Sequence, residues 1–302
     1  MGGHQNPLNG WLNDAVKDMD NICYAGIVTF NPDIERLEEN VSAISKQVPV
    51  VVIFDNGSQN IVDIESMILI YKNVELLKSN LNVGIAAALN KLMQWGLEQN
   101  YIWMLSLDQD SVCDEHYVTD IKAYFNVETS LGIVAPVIVD RSVGIVGHNP
   151  KKAYSYVNTC ITSGACSKIE AWKKIGGYDE KMFIDSVDFE YCYRMRKYGY
   201  GVIQVKNVQL LHQLGESQKR RFLFLKVDVT GHSPFRKYFI ARNNVYYPLK
   251  HHLWLHFFRG NLRNIRLIVL VVLYESNKKD KIRSICKGWK DAYLMERMKN
   301  DN

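Results

Sequence analysis

The chain is 302 residues long, 47% apolar and 23% charged, with a net charge of +5. At roughly 100–200 residues per domain that is one large domain or two modest ones, and the composition excludes a disordered chain or a collagen-like repeat. The charge is polarised: residues 1–150 carry 8 Lys and Arg against 19 Asp and Glu, residues 151–302 carry 29 against 13, so the second half is expected either to meet something anionic or to present a solvated basic face.

Residues 1–20 are polar and aperiodic and read as a tail. Ile22–Phe30 is an apolar, β-rich run stopped by Asn31-Pro32. Helical spacing follows over 33–46, with Ile34, Leu37, Val41 and Ile44 on one face. Val48–Phe54 predicts a second buried strand, closed by the turn signal Asp55-Asn56-Gly57-Ser58. A helix over 61–71, a short strand over 74–77 and a helix over 82–97 opening on an Asn82 cap come next. Tyr101–Leu107 is another buried strand and delivers Asp108-Gln109-Asp110. Later elements are a strand over 133–139, helices over 168–175 and 185–198, and an apolar run over 208–211. Trp254–Tyr274 is apolar but carries Arg259, Arg263 and Arg266, too charged to span a bilayer. The alternation of strand and helix predicts an α/β fold with a mostly parallel sheet, whose ligands sit beyond the carboxyl ends of the strands. Asn31, Asp55, Asp108 and Asp110 all fall at those ends.

Six scattered cysteines form no Cys-x-x-Cys pair and no basic-then-apolar leader opens the sequence, which together predict reduced thiols in the cytoplasm. On an extended backbone Asp108 and Asp110 point the same way, and two hard oxygen ligands suit Mg²⁺ or Mn²⁺ bridged to a diphosphate. The alternative is a pair of turn aspartates. Asp55 is either a plain turn residue or an acceptor for the N3–H of a pyrimidine base. Gly-x-Gly-x-x-Gly after the first strand, the phosphate-loop motif, Gly-x-Ser-x-Gly and His-Glu-x-x-His are all missing, which disfavours dinucleotide oxidoreductases, phosphate-loop NTPases, serine hydrolases and zinc proteases.

The ordered set Ile27-Val28-Thr29-Phe30-Asn31, Phe54-Asp55-Asn56-Gly57-Ser58, Asn82-Val83-Gly84-Ile85-Ala86 and Asp108-Gln109-Asp110 resembles glycosyltransferase family 2. It continues through Gly176-Gly177-Tyr178-Asp179-Glu180-Lys181-Met182-Phe183-Ile184-Asp185, Val187-Asp188-Phe189-Glu190 and Arg194. Arg236-Lys237-Tyr238 and Arg242-Asn243-Asn244 look most like the bacterial rhamnosyltransferase branch.

The resemblance implies a GT-A fold, with a Rossmann-like sheet flanked by helices, and inverting transfer from a nucleoside-diphosphate sugar. It implies that Thr29, Asn31, Asp55 and Asn56 hold the nucleoside, that Gly84 allows close approach of the sugar donor, that Asp108 sits near both ribose and metal, and that Asp110 ligates the metal. It makes Asp188 the general base, Asp185 the second choice, and Glu190 either a support for that base or an acceptor-binding residue; Arg194, Arg220, Arg221 and Arg242 would add positive charge at the diphosphate. His212 would complete the metal or diphosphate site, or serve as an ordinary structural histidine. The catalytic domain would span 21–250, with a nucleotide half (21–110) and an acceptor half (111–250), followed by a basic amphipathic helical region over 251–302. The implied partners are dTDP-rhamnose, with a UDP-hexose as the alternative, and a saccharide or lipid-linked saccharide acceptor of cell-surface polysaccharide synthesis. An anionic membrane surface at the inner face of the plasma membrane and a second copy of the chain are the further partners considered for the basic region. A catalytically silent nucleotide-sugar binder is the rival from another class. No nucleic-acid motif appears, which sets that partner aside.

Overall fold

The computed structural model describes residues 22–140, 144–211, 218–222, 225–229 and 231–300, with 218–222, 225–228 and 296–300 described by backbone only. The expected 1–20 tail and His212 lie outside the described residues. In chain order the first half runs β1 (Cys23–Thr29), α1 (Ile34–Ile44), β2 (Val51–Asp55), α2 (Ile61–Ile68), β3 (Val74–Lys78), α3 (Ile85–Glu98), β4 (Trp103–Asp108) and α4 (Tyr117–Lys122). Then come β5 (Leu131–Asp140), β6 (Gly144–Val146), β7 (Tyr154–Tyr156), β8 (Cys166–Lys168), α5 (Ile169–Ile175), a 3₁₀ turn over Glu180–Met182, α6 (Val187–Lys197) and β9 (Gly201–Leu211). A hairpin, β10 (Gln218–Phe222) with β11 (Leu225–Val229), precedes three helices: α7 (Pro234–Lys250), α8 (Trp254–Tyr274) and α9 (Lys278–Asn300).

The main sheet has the order β3-β2-β1-β4-β8-β5-β9-β7, with β6 paired to β5. Its first four strands are parallel, in register Thr29↔Asp55 and Val28↔Asp108. β8 then runs antiparallel to both β4 and β5, while β5 and β9 are parallel, so the sheet is mixed beyond β4. The chain winds from β1 out to β3 and returns to lay β4 on the other side of β1. Such a reversal opens a crevice at the strand carboxyl ends. The expected apolar faces form the core, with Ile27, Ile53 and Leu105 of the sheet and Leu37, Val41 and Ile44 of α1 all fully buried.

The chain divides into two compact units. One comprises residues up to Tyr178 with Tyr191–Gln213; the other comprises Asp179–Glu190 with Leu214–Asn302. Residues 214–250, expected within the catalytic domain, therefore group with the C-terminal helices, and so does 179–190. In this second unit the Ser233 side chain caps α7 by accepting from Arg236 N–H, and Pro234 stands in the first turn, where no amide donor is needed. Gly260 on α8 and Gly288 on α9 bring both helices against α7: a methyl at either would overlap the backbone carbonyl of Asn244 or Tyr238. Between the helices Lys237, only 1% exposed, pairs with Glu275 at 2.6 Å, and Glu275 pairs with Lys281 at 2.8 Å.

Candidate active site

At the carboxyl edge of the first unit, Asp55 is buried and accepts three hydrogen bonds. Thr29 Oγ1 donates to its Oδ1 at 3.1 Å, and the N–H groups of Gly57 and Ser58 donate to Oδ2 at 3.2 and 3.0 Å. A carboxylate offers roughly four acceptor positions, and the turn occupies three of them. Asn31 lies beside it with φ +46°; its N–H donates to Ser58 Oγ and its Oδ1 accepts from Gln59 N–H. Asn56 is buried and pins the next loop, donating to Asn82 Oδ1 at 3.1 Å and accepting from Val83 N–H at 2.8 Å. Asn82 does not cap the helix as its sequence position suggests. Its Oδ1 also accepts from Gly84 N–H, and Gly84, at φ +85°, takes the cap position of α3. That φ belongs to a region open chiefly to glycine.

One strand over, Asp108 ends β4 and Asp110 stands in the turn after it. The Asp108 N–H donates to Ser163 Oγ at 3.1 Å, and its carbonyl accepts from Asn40 Nδ2 at 2.8 Å. Gln109 reaches back to β1, its Oε1 accepting from Phe30 N–H. Asn40, wholly buried on α1, and Gln109 thus brace the acidic turn from two sides, and sequence reasoning had assigned neither a role. Among the described residues no group of three or more His, Cys, Asp or Glu side chains is arranged to hold a metal ion. Two carboxylates nevertheless match what Mg²⁺ asks of a protein when the substrate phosphates and water supply the remaining ligands. The pair therefore fits such an ion.

The second unit carries the acid-rich segment 179–190. Phe183, Asp185 and Ser186 have φ of +60°, +66° and +61°, left-handed values that non-glycine residues adopt only when surroundings enforce them. The enforcement comes from α7. Asn243 Nδ2 lies 2.8–2.9 Å from the carbonyls of Met182, Ile184 and Asp185. Buried Arg242 donates to the carbonyls of Lys181 and Met182 and sits over the Phe239 ring at 4.6 Å. Burial lowers the affinity of the Arg242 guanidinium for its proton, and contacts with Tyr238 restore part of it.

This geometry corrects one expectation. The helix expected over 185–198 would contain Asp185, but Asp185 stands two residues before α6. It is instead gripped by Arg236, whose Nη2 lies 3.0 Å from Oδ1 and whose Nε lies 3.3 Å from both oxygens. Glu190 is fully buried and accepts from Lys250 Nζ at 2.7 Å, with His251 Nε2 at 2.9 Å. Lys250 also reaches Asp179 Oδ2 at 2.7 Å. Asp188 stands in the first turn of α6, half-buried, its Oδ1 accepting from Phe189 N–H. The three acids have three different environments.

The arginines divide too. Arg194 is buried in the first unit and donates to the Ile175 carbonyl at 2.8 Å, and Arg242 is spent on the backbone of 181–182. Both hold protein rather than face an open edge. Arg220 and Arg221 lie on β10 opposite Val227 and Lys226. Lys250 and His251 were missed by sequence reasoning, because sixty residues separate them from Glu190 and no local spacing links them.

Parallel strands β3, β2, β1 and β4, with an Asp-x-Asp turn at the carboxyl end of β4 and a mixed sheet beyond it, make the arrangement of a GT-A fold. The glycosyl transferase family 2 model matches residues 24–183, over half of the chain, and the protein belongs to that family. It is 26% identical over 275 residues to the dTDP-rhamnosyl transferase RfbF of Shigella flexneri, covering 85% of this chain and 88% of that one. Among solved structures it is similar to GalNAc-T7 with UDP, GalNAc and Mn²⁺ (TM-score 0.57, 15% identity, 75% of this chain), of which it spans only 49%. The mannosyltransferase PcManGT of Pyrobaculum calidifontis, in complex with GDP-Man and Mn²⁺, is similar over 95% of this chain and 83% of its own (TM-score 0.55, 13% identity).

Proposed function

We propose that this glycosyltransferase moves rhamnose from dTDP-rhamnose, with inversion, onto a hydroxyl of a saccharide or lipid-linked saccharide, on the cytoplasmic side of the cell envelope. The observation that carries the reading is the alignment of Thr29, Asp55 and Asp108 at the carboxyl ends of three adjacent parallel strands; the sugar is borrowed from the similarity to RfbF. Asp55 accepts the N3–H of the thymine, and Gly84 at the start of α3 lets the diphosphate approach backbone N–H groups. Asp108 and Asp110 would hold Mg²⁺ or Mn²⁺, whose charge, when bound, offsets that of the departing diphosphate.

Asp188 takes the proton of the acceptor hydroxyl as its oxygen bonds to the anomeric carbon and the bond to the diphosphate breaks. Asp188 is preferred because it keeps the two-residue interval to Glu190 within Val187-Asp188-Phe189-Glu190; Asp185 lies with Arg236, and Glu190 with Lys250 and His251. In this reading Glu190 is a positioning residue for the first turn of α6. A UDP-hexose donor is the second reading, favoured by the UDP of the GalNAc-T7 structure.

The test is a thermal-shift panel of nucleotide sugars with and without Mn²⁺, followed by assay of free nucleoside diphosphate with acceptor present. At a ligand concentration about 100 times Kd the fold should gain about 2.7 kcal/mol. The proposal requires dTDP-rhamnose to stand out; a shift with UDP-hexose alone selects the second reading, and a shift without turnover selects the silent binder.

A further inference from the structure

The helix α8 is 21 residues long, about 31 Å at 1.5 Å per residue. Trp254, Phe258, Leu262, Ile265, Val269 and Val272 along it are 38–64% exposed. At about 100° per residue these six fall within an arc of about 80°. Arg259, Arg263 and Arg266 fall together on the adjoining arc, along one side of the apolar stripe only. Gly260, Asn264 and Val271 lie on the opposite side and, with Leu270 among the arginines, are the residues buried against the rest of the unit. The helix contains no Asp or Glu. A continuous stripe of large apolar side chains running the length of a helix marks an interaction surface.

We propose that α8 lies in the plane of an anionic bilayer surface, its apolar stripe among the acyl chains and Arg259, Arg263 and Arg266 on lipid phosphates. Charge complementarity selects this occupant. A second copy pairing stripe to stripe through α8 would bring an arginine flank to a helix with no carboxylate to receive it. Spanning is also disfavoured, since among the described residues no helix is long and apolar enough to cross a membrane. Helices with a wide apolar face and cations at its margin settle about 5–10 Å into the headgroup boundary. The same unit has a cavity of about 390 Å³ whose lining includes His232, Arg263 and Arg266, apolar Leu267 and Leu270, and the Glu275 carboxylate, which Lys237 and Lys281 neutralise. Cations beside apolar walls suit a phospholipid phosphate and the carbons attached to it. The exposed Lys278 and Lys279 continue the positive charge just past the helix.

This seat does not rest on the identity of the sugar donor, and its test contains none. The full chain is co-sedimented with sucrose-loaded vesicles of phosphatidylcholine, with and without about one-third phosphatidylglycerol, at two salt concentrations. Binding should favour the anionic vesicles at least tenfold and weaken with salt. Leu262→Glu should abolish it, and the triple substitution of Arg259, Arg263 and Arg266 to Gln should weaken it about a hundredfold, roughly fivefold per charge. Both changes are at exposed positions, and circular dichroism should show an unaltered fold. Equal binding to neutral vesicles, or anionic binding that survives Leu262→Glu, overturns the proposal. So does a lipid-free dimer in sedimentation velocity that Leu262→Glu dissociates, which assigns the stripe to a second copy.

Discussion

Replacing Lys250 by Met removes an ammonium that sits against two carboxylates, fully buried Glu190 and largely buried Asp179. Methionine keeps much of the stem and deletes the charge. Breaking a buried pair by removing one partner costs about 3–5 kcal/mol, because a charge is left without compensation. His251 still contacts Glu190 and Tyr246 still donates to Asp179, which puts the expected loss at the lower end, about 3 kcal/mol. The informative measurement is the double mutant. If the loss comes from an orphaned charge, Glu190→Gln in the Lys250→Met background should recover part of it, making the double mutant more stable than Lys250→Met alone. Urea unfolding of the wild type, both single mutants and the double mutant reads the coupling, expected at about 1–3 kcal/mol for contacting groups. Additive losses would refute the reasoning, and so would a double mutant less stable than either single one. Turnover supplies a second readout. Because Glu190 and Asp188 share the first turn of α6, Lys250→Met should lower kcat more than it alters donor binding.

Asp188→Asn should cut transfer by about 10²–10⁴-fold, the usual worth of a general base, while the thermal shift with dTDP-rhamnose persists; retained turnover would hand the role to another acid. Asp108→Asn with Asp110→Asn should abolish the Mn²⁺-dependent part of that shift, and a persistent metal effect would place the ion elsewhere. Burial alone would raise the Glu275 carboxyl, but hydrogen bonds from Lys237 and Lys281 hold it below the ordinary carboxylate range. Its stabilising contribution is therefore complete above about pH 4.3, the unfolded value, and is lost as pH falls through the lower folded value. Glu275→Gln should flatten the stability profile in that acid window, and an unchanged slope there would contradict the assignment. Gly288→Ala should destabilise the protein by more than the usual 1–3 kcal/mol of overpacking, since its methyl meets a backbone carbonyl that cannot swing aside.

The parallel half of the sheet was readable because each buried strand is a short apolar run closed by a turn residue, as at Phe54-Asp55-Asn56-Gly57. The Asp-x-Asp turn was readable for the same reason: a strand delivers it to an edge. β8 was not, since three residues wedged antiparallel between β4 and β5 leave no periodicity to detect. The start of α6 was placed two residues early because the apolar and acidic pattern continues through Asp185, whereas Asn243 and Arg242 hold the backbone left-handed there. Asn82 looked like a helix cap because its residue type suits one, yet its amide joins two loops. Arg194 and Arg242 came with the motifs of the family resemblance, and their burial against backbone carbonyls is invisible in the sequence. The α8 stripe could be read as an apolar run interrupted by arginines; that its apolar residues face outward required the packing of Gly260 and Asn264.

The hold of α7 on residues 179–190 bears on how members of this family can be recombined. Arg236, Arg242, Asn243, Lys250 and His251 all fasten that acidic stretch, so its shape is inherited from a helix that follows it by some fifty residues. A chimera joined between Glu190 and Ser233 would pair one parent's acids with another parent's fasteners. Crossovers that keep both stretches from a single ancestor should preserve the loop, whichever nucleotide-binding half they are spliced to.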